Sequence, residues 1–363
     1  MVNKLILANL AHRPLRTFLS VLAIGVEVTM ILTLVGVSYG TLDASARRAR
    51  GIGADIFVRP PGTSAIGLSS APMSEKVVPV FAARPGVALA TGTIVQGLGG
   101  FDTIQGVDFP ALNRMSGFKF LRGGPPTGTD DIIVDEYYAR QKKLKPGSDI
   151  VLASHTWHVA GIYDSDILSH ILARKQDLQQ VTGSEGKISA IYLKLDNPTQ
   201  IDAYVAQMKL DYPGYQIYSV ADFTSQLSVN NIPMLKDFIY VVIGIASIVG
   251  FIVVFMAMYT AVLERTREIG ILKAVGAGSG YILNMLFRET ILLALFGTML
   301  GIALTYGTQF LIGHAVPASL VQETVYNWWP IAGAIAISGA IVGTVVPAVR
   351  AVKQDATEAL SYE

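Results

Sequence analysis

Apolar residues gather into four long runs, approximately 15–40, 238–263, 290–312 and 328–349, with nearly two hundred polar, turn-rich residues between the first and the second. Crossing a hydrocarbon core of roughly 30 Å takes about 20 helical residues, so each run predicts a transmembrane helix. Within the intervening stretch, short segments alternate apolar with polar and are punctuated by Gly and Pro. They predict strands over 54–58, 130–134 and 190–195, a hairpin over 151–153 and 157–162, and helices over 135–143 and 199–208. A last strand falls on 215–219, and Asn197 before Pro198 supplies a helix cap. The Ser-, Gly- and Pro-rich segment from Pro60 to about Met73 reads as a loop.

The joints between these parts are also legible. Residues 44–50 continue the first span as helix until Gly51 and Gly53 end it, and 222–237 predict a helical stalk into the second span. Before the first span, Val2, Leu5, Ile6 and Leu10 share a face opposite Lys4, Asn9 and Arg13, and Pro14 follows. That pattern suits a helix lying in the membrane interface, with a plain extension of the span as the alternative. The expected fold is a membrane protein of four transmembrane α-helices with an α+β extracytoplasmic domain between the first and second spans. Its parts are 1–42, 43–235 and 236–363.

Charge orients the spans. Lys4, Arg13 and Arg16 precede the first; Arg265, Arg267, Lys273 and Arg288 lie between the second and third; Arg350 and Lys353 follow the fourth. Residues 313–327 contain no Lys or Arg. The positive-inside rule therefore predicts cytoplasmic termini and middle loop, with 41–236 outside. Arg47, Arg48 and Arg50 run against it, but long translocated domains largely escape the rule. Trp328 and Trp329 open the last span where indoles favour the headgroup layer.

Composition narrows the chemistry. Charged residues are 15% of the chain and hydrophobic ones 51%, the balance of a membrane protein. A net charge of +1 gives no electrostatic case for nucleic acid. With no cysteine, thiol catalysis, zinc ribbons and iron–sulfur sites are excluded. No GxxxxGK[ST] appears: no Lys-Ser/Thr follows Gly276–Gly280, and Ile188 follows Gly186-Lys187. The apolar run at the N-terminus is too long for a cleavable signal peptide.

The segment from Glu264 to Gly278 reads ERTREIGILKAVGAG. Charges of both signs end the second span, and a short amphipathic piece follows, with Gly270 and Gly276 as breaks. A short exposed helix between hinges can dock in the cleft of a soluble partner. An ordinary re-entry loop obeying the positive-inside rule would carry similar charges.

This loop resembles the signature loop of the FtsX/MacB-type permeases of ABC transporters. Residues 9–28 (NLAHRPLRTFLSVLAIGVEV) are similar to that family's N-terminal elbow and first span. Residues 347–360 (PAVRAVKQDATEAL) are similar to its C-terminal end, and 130–163 resemble its periplasmic core domain. The resemblance implies a coupling helix over about 268–277 that meets an ATPase through Arg267, Glu268, Ile269, Gly270, Leu272, Lys273, Val275 and Gly276. It also implies two permeases and two ATPase subunits in a bacterial cytoplasmic membrane, with ATP and Mg²⁺ bound by the separate ATPase and no cofactor on this chain. It departs from MacB in carrying no fused ATPase and a shorter outer domain.

Glu27 lies inside the first span, where a charge costs about 3 kcal/mol on insertion scales, and Met30 follows one turn later. Together they are candidates for a substrate path; a carboxyl that only fixes packing is the alternative. His155, His158 and His170 are dispersed and read as surface residues rather than metal ligands, and Asp164, Asp166 and Asp177 as solvated or capping. The GxxxG pairs Gly36/Gly40, Gly297/Gly301 and Gly339/Gly343 permit close helix approach and offer possible dimer faces. Three functions compete: an ATP-driven permease exporting or extracting an amphiphilic substrate, a transmitter that regulates an extracytoplasmic partner, and a receptor without an ATPase. The coupling-like loop argues against the third.

Overall fold

A computed structural model describes residues 14–353 apart from 62, 64–70, 100–101, 233, 265 and 317–319. The predicted interfacial helix over 2–13 and the C-terminal residues from 354 on lie outside the described residues. In chain order the elements are α1 (Pro14–Gly51), β1 (Ile56–Arg59), β2 (Met73–Ser74), α2 (Val78–Ala82), β3 (Val87–Gly99), β4 (Asp102–Val107), α3 (Phe109–Ser116) and β5 (Phe120–Gly123). Then come β6 (Asp131–Asp135), α4 (Glu136–Lys142), β7 (Asp149–Leu152), β8 (His155–Tyr163), β9 (Ile171–Arg174), α5 (Lys175–Val181), β10 (Lys187–Ile188) and β11 (Ala190–Leu195). The chain ends through α6 (Ile201–Asp211), β12 (Gln216–Ser219), α7 (Val220–Gln226), α8 (Leu235–Glu264), α9 (Thr266–Ala274), α10 (Ser279–Ala315) and α11 (Trp328–Lys353).

Among the described residues four helices are long and apolar enough to cross a membrane: α1, α8, α10 and α11. They form one compact unit with α1 as far as Val37 and the chain from Glu323. Small residues let these helices approach closely, because lipid offers no hydrophobic drive for packing them. A Cβ added at Gly301 of α10 would sit 2.6 Å from the Val28 Cβ and 2.7 Å from the Gly25 carbonyl oxygen of α1. One at Gly297 would meet the Ile24 Cβ at 2.6 Å. Thr29 Oγ1 donates to the Gly301 carbonyl at 3.1 Å, and the Thr33 and Thr308 hydroxyls meet at 2.9 Å. On α11, Gly343 lies against the backbone of α8 at Phe251, and Thr344 shares a 2.9 Å hydrogen bond with Thr290 of α10. The Gly297/Gly301 pair is thus consumed inside one chain rather than left as a dimer face. Gly339 faces open space.

The second compact unit is Ser38–Pro233 with Ile312–Gln322. Its main sheet has ten strands in the order β12-β1-β11-β3-β4-β9-β6-β8-β5, with β7 paired to β8. Most neighbours are antiparallel; β4–β9 and β6–β8 are parallel. Helices cover this sheet, which makes the domain α+β. Trp157, Tyr138 and Tyr163 are the largest side chains fully buried in it. Asp135 starts α4 by accepting from Tyr138 N at 2.8 Å, the bond an N-cap supplies to an orphan amide. Asn197 caps a short 3₁₀ turn, Pro198–Gln200, ahead of α6. The expected stalk over 222–237 does not form as one helix. α7 stops at Gln226, a turn follows, and Met234 takes a left-handed φ of 65° just before α8.

Candidate functional site

The loop between the second and third spans forms a helix with defined ends. Thr266 Oγ1 donates to Leu263 O at 2.8 Å, tying the start of α9 to the last turn of α8. At the other end Ala277 N reaches Leu272 O at 2.9 Å and Gly276 N reaches Lys273 O at 2.9 Å. This paired closure needs a left-handed residue after the helix, and Gly276 supplies it at φ 99°. Gly276 is therefore a stop set by backbone geometry.

Exposure divides the expected coupling residues. Ile269 is 3% exposed and Gly270 is buried, so both face their own chain. Leu272 is half-buried. Val275 is 84% exposed, and Ile271, which the sequence reading passed over, is 47% exposed. The two sit four apart on one helical face, so the free apolar tip is Ile271 with Val275 rather than Ile269 with Leu272 and Val275. The i, i+4 spacing was available in the sequence, but a helix this short leaves its phase open. The backbone of Arg267 and Glu268 is helical; their side chains are outside the described residues.

Lys273, one of the residues expected to meet the ATPase, is engaged within the chain. Its Nζ donates to Val352 O at 2.6 Å, in the last turn of α11, where helix carbonyls have no partner of their own. Nearby, Arg350 Nη1 donates to the Tyr259 hydroxyl of α8 at 2.7 Å, with its guanidinium 5.4 Å from that ring's centre. Two polar links thus join the end of α11 to α8 and α9.

Deeper in the spans, Glu27 is 7% exposed and its carboxyl lies on the backbone of α8: a Cβ added at Gly250 would fall 1.8 Å from Oε2. Gly250 makes the room that a carboxyl needs there. Met30 is 43% exposed, so the structure buries one substrate-path candidate and leaves the other on the surface of the helix. Sequence reading missed Glu289, which is 1% exposed at the edge of the third apolar run. Its signal was an acidic residue directly beside that run.

The domain between the first two spans holds a buried pair that corrects the reading of His170 as a surface residue. Its Nδ1 meets Asp135 Oδ2 at 2.6 Å, with both side chains almost fully covered. Asp177 is also buried, 3.3 Å from Arg174 Nε, rather than solvated. Burial, with Asp135 nearby, raises the Tyr163 hydroxyl well above the usual tyrosine range, and that hydroxyl donates to Ser169 O. No group of three or more His, Asp or Glu capable of holding a metal occurs among the described residues.

Comparison with known proteins agrees with this arrangement. Residues 17–210 match the MacB-like periplasmic core domain and residues 240–356 the FtsX-like permease C-terminal domain. The chain is 26% identical over 327 residues to an uncharacterized ABC transporter permease of Mycobacterium tuberculosis, covering 86% of this chain and 88% of that one. It is 39% identical over 123 residues to the uncharacterized ABC transporter permease YknZ of Bacillus subtilis, a match spanning 33% of this chain and 30% of YknZ. It is 24% identical over 408 residues to the macrolide export ATP-binding/permease protein MacB of Shewanella, covering 99% of this chain but 60% of MacB. With one family domain over the first span and the mixed sheet, and the other over the last three spans, the chain belongs to the MacB/FtsX family of ABC transporter permeases.

Proposed function

We propose that this permease couples ATP hydrolysis on a separate ATPase to the export or extraction of an amphiphilic substrate, with α9 as the coupling element. The observation that carries this reading is the exposed Ile271–Val275 tip on a helix closed by Gly276 and tied by Lys273 to the end of α11. Such a tip can enter a cleft of the ATPase, and the Lys273 link would pass its displacement to the fourth span. ATP and Mg²⁺ belong to the partner, two copies of the permease meet two ATPase subunits, and the termini and α9 are cytoplasmic. Glu27 sits on the route in this reading, against Gly250, and Met30 faces outward.

The test is co-purification of the ATPase with wild-type and Val275→Asp permease, followed by hydrolysis in liposomes. Losing one desolvated anchor costs about 2 kcal/mol or more, a roughly thirtyfold loss of affinity. Lys273→Met should leave ATPase binding in place and lower stimulated hydrolysis. Full ATPase retention by Val275→Asp would remove α9 as the docking element.

A further inference from the structure

Glu27 is 7% exposed between α1 and α8, and among the described residues no hydrogen bond or ion pair engages its carboxyl. Its oxygens lie over Gly250, where even a Cβ would have no room. The helices packed around it bring no charge to this depth. α1 has no other titratable residue between Arg16 and Tyr39, α8 none between Tyr240 and Tyr259, α10 none between Glu289 and Tyr306, and α11 none between Tyr326 and Arg350. A carboxylate anion buried without a cation or a donor is strongly disfavoured, so such a group takes up a proton or a ligand.

The same seam is open toward one end of the spans. A groove of about 410 Å³ runs between α1 and α8 from Glu264 to Val253, room for several waters at about 30 Å³ each. Val253 is three residues from Gly250, about 4.5 Å along the helix, so the groove stops one turn short of Glu27. Polar side chains enter it from both helices: exposed Glu264 at the mouth, Thr260 one turn further in, and buried Ser20. Gly250, Ala257, Thr260 and Glu264 recur at helical spacing on one face of α8, and Ser20 and Glu27, seven apart, share a face of α1. We propose that Glu27 is a proton-binding site, held as the neutral acid between α1 and α8 and exchanging its proton with water in this groove. Loss of the proton leaves an unpaired anion against Gly250, and the seam must then part to admit water. Proton occupancy thereby sets how tightly α1 and α8 close. The site depends on the four spans alone, and no part of it needs α9 to dock.

The experiment is infrared spectroscopy of the purified full-length chain in liposomes. At neutral pH the wild type should show the carbonyl stretch of a protonated carboxylic acid that shifts in D₂O and is lost in Glu27→Gln. Raising the pH should bleach that band in the wild type. Gly250→Ala, whose Cβ would fall 1.8 Å from Oε2, should shift the band, because the carboxyl has to leave its place. That shift is the readout should Glu27→Gln fail to fold. Ala257→Leu fills the groove and should slow deuteration of the band, while Ile248→Phe, on the exposed face of α8 outside the groove, should not. Val275→Asp should leave band and exchange unchanged, so a failure of ATPase docking and a failure of the proton site are read separately. Wild-type and Glu27→Gln spectra that agree at neutral pH overturn the proposal, since Glu27 is then an anion with a cation as its ligand. Deuteration equally fast with the groove filled overturns it as well, by removing the route.

Discussion

Gly301→Ala should separate the first and third spans. The added Cβ would lie 2.6 Å from the Val28 Cβ and 2.7 Å from the Gly25 carbonyl oxygen. Carbon atoms rest at about 3.5–4.0 Å, so the helices must part by about 1 Å. Neither obstacle can swing aside: one is backbone, and the other is the branch point of a β-branched residue with a single favoured helical rotamer. Overpacking of this kind costs about 1–3 kcal/mol, and the Thr29 hydrogen bond to Gly301 O is stretched at the same time. Gly307 on the same helix meets nothing within 4 Å, so Gly307→Ala should be neutral or gain up to about 1 kcal/mol of helix propensity. The propensity gain is common to both substitutions, so unfolding in micelles should separate the two alanines, six positions apart, by about 1–3 kcal/mol. Val28→Ala should not rescue Gly301→Ala, since the clashing Cβ remains. If Gly301→Ala is no less stable than Gly307→Ala, the close packing of α1 on α10 is wrong.

Thr127→Cys, exposed in the domain, should react with a membrane-impermeant maleimide in intact cells; protection there until permeabilisation would reverse the topology. Burial of Glu75 pushes its carboxyl up, but hydrogen bonds from Lys175 and Gln179 and the Lys175 charge outweigh that and hold it below its ordinary value. Its stabilising contribution is then complete above the ordinary carboxylate value and lost as pH falls through the lowered one. Glu75→Gln should melt earlier than wild type at neutral pH, with the gap closing in acid; a gap that widens in acid would refute the assignment. Cysteines at Val26 and Met30, exposed on α1, should cross-link two copies, while those at Val28 and Ile31, buried in the chain, should not. Cross-links at Val28 and Ile31 instead would place the dimer on a different face of α1.

The four spans were legible because lipid demands long apolar runs, and nothing else in the chain resembles one. The far end of α1 was legible as well, because Gly51 and Gly53 mark it, but the start of α10 was not: that helix begins at Ser279, through residues whose helicity comes from chain continuity rather than hydropathy. The individual strands could be read from alternation and turn residues, yet the parallel pairs β4–β9 and β6–β8 depend on contacts far apart in sequence. His170 illustrates the same limit: its partner Asp135 is 35 residues away, so its burial had no local signal. The failed stalk did have one. Pro233 breaks the run over 222–237, and the residue before a proline is biased away from helix.

The two connections between the spans and the domain differ in local structure: one is an unbroken helix and the other contains a turn. α1 runs 38 residues without a break, Pro14–Gly51, and its last turn is held by Leu168 N on Arg48 O at 3.2 Å. Arg47 adds a contact at 3.7 Å to Asp166. The helix is continuous over this whole length. The return connection is a joint: α7 ends at Gln226, and Met234, 80% exposed, sits at a left-handed φ that a non-glycine residue adopts at a cost of about 1 kcal/mol. Under the coupling reading, α9 is joined by chain to both α8 and α10. The route then runs from α9 to α10, with α11 bound to α9 through Lys273 and to α10 through Thr344, and from α10 to α1 across the Gly297–Gly301 seam. At that seam Gly297 and Gly301 leave no room for a Cβ against Ile24 and Val28, so a shift of α10 meets α1 directly.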